Sequence, residues 1–174
     1  VKIRCDLHIN GGSRKLVLAQ DTTETLEHLS LKLAAYILFW DMDPLVSASL
    51  KHPSLMDQEF VPDLVAFDDT GTIKLWGECG KVALHKLGKI VRRCSEARIV
   101  VLKETEAEAR RFRADVAQEI DRSERIEILS WPGAEFKTWR RVLDDRVEAF
   151  GDAQGRSLNL VLNEHPFAVD LVSF

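Results

Sequence analysis

Pro62-Asp63-Leu64-Val65-Ala66-Phe67, the turn Asp68-Asp69-Thr70-Gly71, and Ile73-Lys74-Leu75-Trp76-Gly77-Glu78 form the stretch on which the fold turns. The outer runs are rich in apolar and β-branched residues, and the Asp-Asp-Thr-Gly between them is a strong turn signal. The pattern predicts a β-hairpin. Side chains alternate along a strand, so Asp63 shares a face with Val65 and Phe67, and Glu78 with Trp76 and Lys74. A turn centred between Thr70 and Gly71 sets residue 63 opposite residue 78. A turn centred one residue earlier makes them diagonal neighbours. Opposed Cβ atoms lie about 4.5–5.5 Å apart and diagonal ones about 7–8 Å. An odd-length loop splits the two acids unless a bulge restores the register.

Two like charges facing each other destabilise a sheet. A divalent cation held between the carboxylates offsets that repulsion. Hard oxygen donors with few protein contacts suit Mg²⁺, which keeps sites for water and phosphate. Such an ion activates water and polarises a phosphodiester, and a nearby lysine counters the developing negative charge. The plainer reading is that carboxylates at strand ends face solvent. Lys81, Lys86, Lys89, Arg92 and Arg93 cluster in and beside the following segment. They form either a phosphate-binding flank or a solvated helix face with cations near its C-terminus.

Upstream, Leu26, Leu29, Leu33, Ile37 and Trp40 recur at helical spacing, with Leu31, Ala34, Ala35 and Leu38 as a second stripe. The spacing predicts a central, largely buried helix over about Thr23–Trp40, with Asp21 and Glu24 as its capping pair. Val1–Asn10 and Leu45–Leu50 read as strands. Downstream, helices are expected over about Val82–Cys94, Glu104–Glu119 and Phe136–Phe150. Strands are expected over Arg98–Leu102, Arg125–Leu129, Leu158–Leu162 and Ala168–Val172. Gly11-Gly12 is a hairpin-turn candidate. The order predicts an α/β (α+β) layer fold with a mixed central sheet flanked by helices.

The 174 residues fit one domain, residues 1–174. A chain this long buries roughly 70% of its extended surface, enough for a core without staples. No apolar run approaches a membrane span, and no secretory signal opens the chain. Cys5, Cys79 and Cys94 are odd in number and widely spaced. They suit a reducing compartment, so a cytoplasmic protein is expected. The formal charge of −4 weighs mildly against tight duplex binding, since nucleic-acid-binding domains are usually basic. The five histidines have no metal-ligand spacing, there is no phosphate-binding glycine loop, and Cys79 reads as a small buried strand residue.

Three stretches, Glu24-Thr25-Leu26-Glu27-His28, Pro62-Asp63-Leu64 and Leu75-Trp76-Gly77-Glu78-Cys79-Gly80, resemble the YaeQ family in order and spacing along nearly the whole chain. That bacterial family is similar to PD-(D/E)XK nucleases. The resemblance implies a core of helix, three-stranded meander, helix and strand. It also implies that Asp63 and Glu78 are the acidic pair, catalytic and metal-binding, with Glu24 or Glu27 as the extra acid. The usual signature places lysine two residues after the second acid, where this chain has Gly80. Lys81 is one residue late. Gly80 lets the chain turn to bring it back, or Lys86 or Lys89 reaches in from the helix. The expectation is a Mg²⁺-dependent nuclease or phosphodiesterase, with Mn²⁺ as substitute and nucleic acid as partner. Asp63, Glu78, Glu27 and Lys81 or Lys86 make its site. The alternative is an inactive relative that binds nucleic acid or protein, because a fold does not fix a function.

Overall fold

A computed structural model describes residues 1–48 and 51–174. Its elements run β1 (Lys2–Ile9), β2 (Gly12–Ala19), α1 (Leu26–Leu38), β3 (Leu45–Val46), β4 (Leu64–Phe67), β5 (Ile73–Cys79), α2 (Leu84–Arg93) and β6 (Arg98–Lys103). They continue α3 (Glu106–Glu119), β7 (Ile126–Ser130), α4 (Glu135–Val142), β8 (Arg146–Gln154), β9 (Ser157–Leu162), β10 (His165–Asp170) and β11 (Val172–Ser173). The strand expected over 45–50 is present at Leu45–Val46, and positions 49 and 50 lie outside the described residues.

The expected mixed sheet has the strand order β11-β7-β6-β5-β4-β3. Strands β3, β4 and β5 form an antiparallel meander, and β5, β6 and β7 run parallel. The sequence α1, meander, α2, β6 is the core that the resemblance implied. A second mixed sheet, β10-β9-β8-β1-β2, stands apart from it. Helices α1 and α4 share one apolar core with the inward side chains of both sheets, among them Leu7, Val147, Leu160, Leu75 and Leu102. Helices α2 and α3 cover the opposite face of the first sheet, over Val65, Trp76, Ile99 and Val101. Every residue of α1 from Leu29 to Leu38 is therefore buried, Ser30 and Lys32 among them, which is why apolar residues fall on more than one side of the helix.

Three local expectations are corrected. The cap of α1 is Thr25, whose Oγ1 accepts from the His28 N–H at 3.1 Å. The helix starts at Leu26, and Glu24 precedes it, accepting from the Asp21 N–H at 3.1 Å. The helix expected to reach Phe150 stops at Val142, and Arg146–Gln154 is strand. Val147 and Ala149 point inward between exposed Arg146, Glu148 and Phe150, a period of two that a helix does not satisfy. Strand β2 was not foreseen. It pairs with β1 through Asn10-Gly11, both at positive φ, the requirement of a tight two-residue hairpin turn.

Strand β8 crosses β9 at a position only glycine can hold. Gly151 has φ +151°, and a Cβ there would lie 2.3 Å from the Asn159 carbonyl oxygen and 2.6 Å from Leu160 Cα. Both neighbours are backbone, so the ladder itself must move. Gly151→Ala is expected to cost about 1–3 kcal/mol and to lower the thermal midpoint by circular dichroism. An unchanged midpoint would contradict the β8–β9 register.

Candidate functional site

The hairpin loop between Phe67 and Ile73 holds five residues, an odd number. Asp68 Oδ1 closes it by accepting from the Thr70 N–H at 2.9 Å and the Thr72 N–H at 3.0 Å. Beyond the loop the pairing slips by one residue between Ala66 and Phe67, and Leu64 then faces Gly77. The irregularity restores the register that the odd loop would have lost. Extending it by one pair sets Asp63 across from Glu78.

The two side chains then part. Asp63 turns toward α1. Its Oδ2 accepts from the Cys79 N–H at 2.8 Å and meets His28 Nε2 at 3.1 Å, while Lys32 Nζ stands 3.7 Å from Oδ1. Burial alone would raise the Asp63 pKa. The His28 bond and charge, the Cys79 N–H and Lys32 outweigh it and hold the carboxyl below its ordinary value. Glu78 turns toward α2, with only 4% of its side chain exposed. Its Oε2 accepts from Trp76 Nε1 at 2.8 Å and its Oε1 from Lys86 Nζ at 2.7 Å. Burial, and then the charge of Asp63, push its pKa up against the pull of Lys86 and Trp76.

A third acid joins from the start of α1. Glu24 Oε1 lies 2.8 Å from His28 Nδ1 and 2.6 Å from Lys32 Nζ. This buried oxygen is thus flanked by two nitrogen-bearing partners at ion-pair distance. Lys32, with 8% of its side chain exposed, also donates to Ser47 Oγ at 2.8 Å. Three acids thus meet Lys32, Lys86 and His28.

The other expected residues divide. Lys86 reaches the site from the first turn of α2. Gly80 has φ +73°, and past it Lys81 lines a cavity of about 650 Å³ together with Glu24, His28 and Cys79. Glu27 does not join the acids. Its side chain is 48% exposed and stands 3.6 Å from Arg140 Nε. Lys89 and Arg93 are held by Glu59 at 3.2 and 3.3 Å. Cys79 is a buried free thiol whose pKa burial pushes well up. Sequence reasoning passed over His28 and Lys32. The signal was the spacing Glu24, His28, Lys32, each four residues apart, which sets His28 and Lys32 on one face of α1 with Glu24 just ahead of its cap.

Among the described residues, no three His, Cys, Asp or Glu side chains converge as a metal cage. The donors at hand are the hard carboxylate oxygens of Glu24, Asp63 and Glu78. Carboxylate oxygens are the donor type that Mg²⁺ takes, one or two at a time with water completing the shell, and here each of the three acids already faces a lysine.

A family model described as YaeQ protein matches residues 8–170. Two solved structures are similar in fold along nearly their whole length. The YaeQ protein from Xanthomonas axonopodis pv. citri has a TM-score of 0.73 at 20% identity, covering 99% of this chain and 96% of that one. The YaeQ protein from Pseudomonas syringae has a TM-score of 0.73 at 16% identity, covering 99% and 93%. No curated protein matches the chain.

The His28–Asp63 contact gives a pH signature. The bond to Asp63, opposed by burial, raises the His28 pKa. Its contribution to stability is full below the unfolded value of about 6.5 and is lost as pH rises through the higher folded value. The Asp63 contribution is present above its unfolded value and lost as pH falls through the lower folded one. His28→Gln should therefore cost the most near pH 5–6, on the order of 1–2 kcal/mol, and less above neutrality. Thermal midpoints of both proteins across pH 4–9 measure the gap, and a constant gap would refute the charged pair.

Proposed function

The chain belongs to the YaeQ family, and from that premise we propose that it is a Mg²⁺-dependent phosphodiesterase of the nuclease type. The observation that carries the reading is Lys86 Nζ at 2.7 Å from Glu78 Oε1. The sequence has glycine where a nuclease of this kind has lysine, and helix α2 supplies an ammonium to the same carboxylate from another direction.

Asp63 and Glu78 would hold Mg²⁺, or Mn²⁺ in its place, with Glu24 as the neighbouring acid, the ion displacing cationic partners that now face them from α1 and α2. The bound ion would activate a water and polarise the phosphodiester. Lys86 would counter the charge that develops on phosphate. His28 and the Cys79 N–H fix the Asp63 carboxylate, so its direction is set before any ligand arrives. Lys81 stands on the cavity wall, placed to meet an adjoining phosphate. Three free, buried thiols suit a cytoplasmic setting. No described helix is long and apolar enough to cross a membrane.

A second reading, binding of nucleic acid or protein without catalysis, has its own support. Each of the three acids already has a cationic partner. One set of experiments separates the two. With Mg²⁺ or Mn²⁺ and single- or double-stranded DNA or RNA, the protein should cleave above an Asp63→Ala control. Lys86→Ala should lower the rate by roughly 100-fold or more. Mn²⁺ should raise the thermal midpoint of the wild type and not of Glu78→Ala. No cleavage above the control, with no Mn²⁺ shift, leaves the binding reading.

A further inference from the structure

The cavity beside the acids lies at the C-terminal ends of the parallel strands β5 and β6, walled by the start of α1 and one face of α3. In open α/β sheets this crevice is the usual place for a ligand. A hollow of similar size against the other sheet, by Arg4 and Arg146, shares no residue with the acid network. This one does. His28 lines it and touches Asp63, and Cys79 lines it and donates its N–H to Asp63.

The walls carry two chemistries. One is cationic, made of Lys81, Lys103 and Arg111. Lys103 is buried, donates to the Gly80 carbonyl at 2.6 Å and rests 4.0 Å from the Phe112 ring centre. An ammonium has three protons to donate, so this one keeps capacity for an anion. The other is acidic, made of Glu104 and Glu108. Burial, then the charges of Glu108 and Glu27, push the Glu104 pKa up, and the oxygens of both acids can accept from hydroxyl donors. A ligand that suits both walls is anionic at one end and hydroxylated at the other. A volume of about 650 Å³ falls in the range of small-molecule sites.

We infer that this cavity seats one unpaired ribonucleotide of a single-stranded RNA, its phosphate on Lys81, Lys103 and Arg111 and its ribose 2′-hydroxyl on Glu104 and Glu108. The inference rests on the phosphodiesterase reading for its setting and adds a substrate class to it. A base in a duplex is stacked and paired, and it enters a pocket only when flipped or already single. The surroundings disfavour a second strand. The chain carries a net −4, and Asp115 and Glu27 stand among the acids near the cavity.

The test reads binding without divalent cation, so its outcome does not depend on catalysis. Fluorescence anisotropy of the full chain with a labelled 12-nucleotide RNA single strand, in chelator at low salt, is compared with the same sequence as a blunt RNA duplex. The single strand should bind at least about tenfold more tightly, and AMP should displace it where adenosine does not. Lys81→Ala and Arg111→Ala both alter exposed side chains, and together they should weaken binding by about tenfold or more. Equal affinity for duplex, no displacement by AMP, or an unweakened double variant each overturns the inference, as does the absence of binding. Intact single-strand binding with no metal-dependent cleavage would sink the phosphodiesterase reading alone. Cleavage with duplex preferred would sink the nucleotide cavity alone.

Discussion

A carboxylate removed from water must find cations and hydrogen-bond donors, or it drifts toward its neutral form. This chain buries three around one end of a hairpin, with 6% of the Glu24 side chain, 19% of Asp63 and 4% of Glu78 left exposed. Their partners come from separate elements. Lys32 and His28 lie on α1, Lys86 on α2, and the Cys79 N–H closes β5. Taking away one partner of such a cluster leaves a buried charge, at a typical cost of 3–5 kcal/mol. The network therefore ties the hairpin end, the start of α1 and the first turn of α2 into one unit.

That unit can exist only because α1 is enclosed. The helix lies between the two sheets, and Trp139 of α4 donates through Nε1 to the Ser30 carbonyl at 3.0 Å. The second sheet carries none of the acids. Its contribution is to seal the far side of α1, so that Lys32, from a helix buried on all sides, meets acids with little competition from water. Weaker screening strengthens each contact. It also explains why Glu78 and Asp63, on neighbouring strands, respond in opposite directions. Asp63 has a helix-borne histidine and a backbone N–H, whereas Glu78 has deeper burial and the charge of Asp63 to contend with.

Much of the architecture was legible because it rests on local pattern. The hairpin followed from its turn residues, and α1 from its doubled apolar stripe. The condition attached to the hairpin, that an odd loop needs a bulge, is the one the structure meets. What escaped the sequence depended on distant partners. Arg146–Phe150 alternates in–out, yet it adjoins a helix of similar composition, and the strand forms because β1 and β9 flank it. Glu24 had an adequate local explanation as a cap, which Thr25 removed by taking the cap itself. His28 and Lys32 were passed over for the same reason. A polar residue on an apolar helix declares its role only when the opposing carboxylate is in place.

Gly80 carries the last step. The nuclease pattern wants a lysine there, and its absence was the strongest reason to doubt any chemistry. In the folded chain the position has another duty. Its φ of +73° suits glycine, and this turn ends β5 and sends Lys81 toward the cavity wall. Its carbonyl meanwhile accepts from Lys103. A lysine at position 80 would have to hold that backbone at a cost of roughly 1–2 kcal/mol. Lys86 meets Glu78 without it, because the turn brings α2 back across the strand end. The cation is specified by where the helix starts rather than by its distance in sequence from the acid. A pattern written as spacing along one strand does not describe this arrangement, in which an ammonium from a helix meets a buried carboxylate at the strand end.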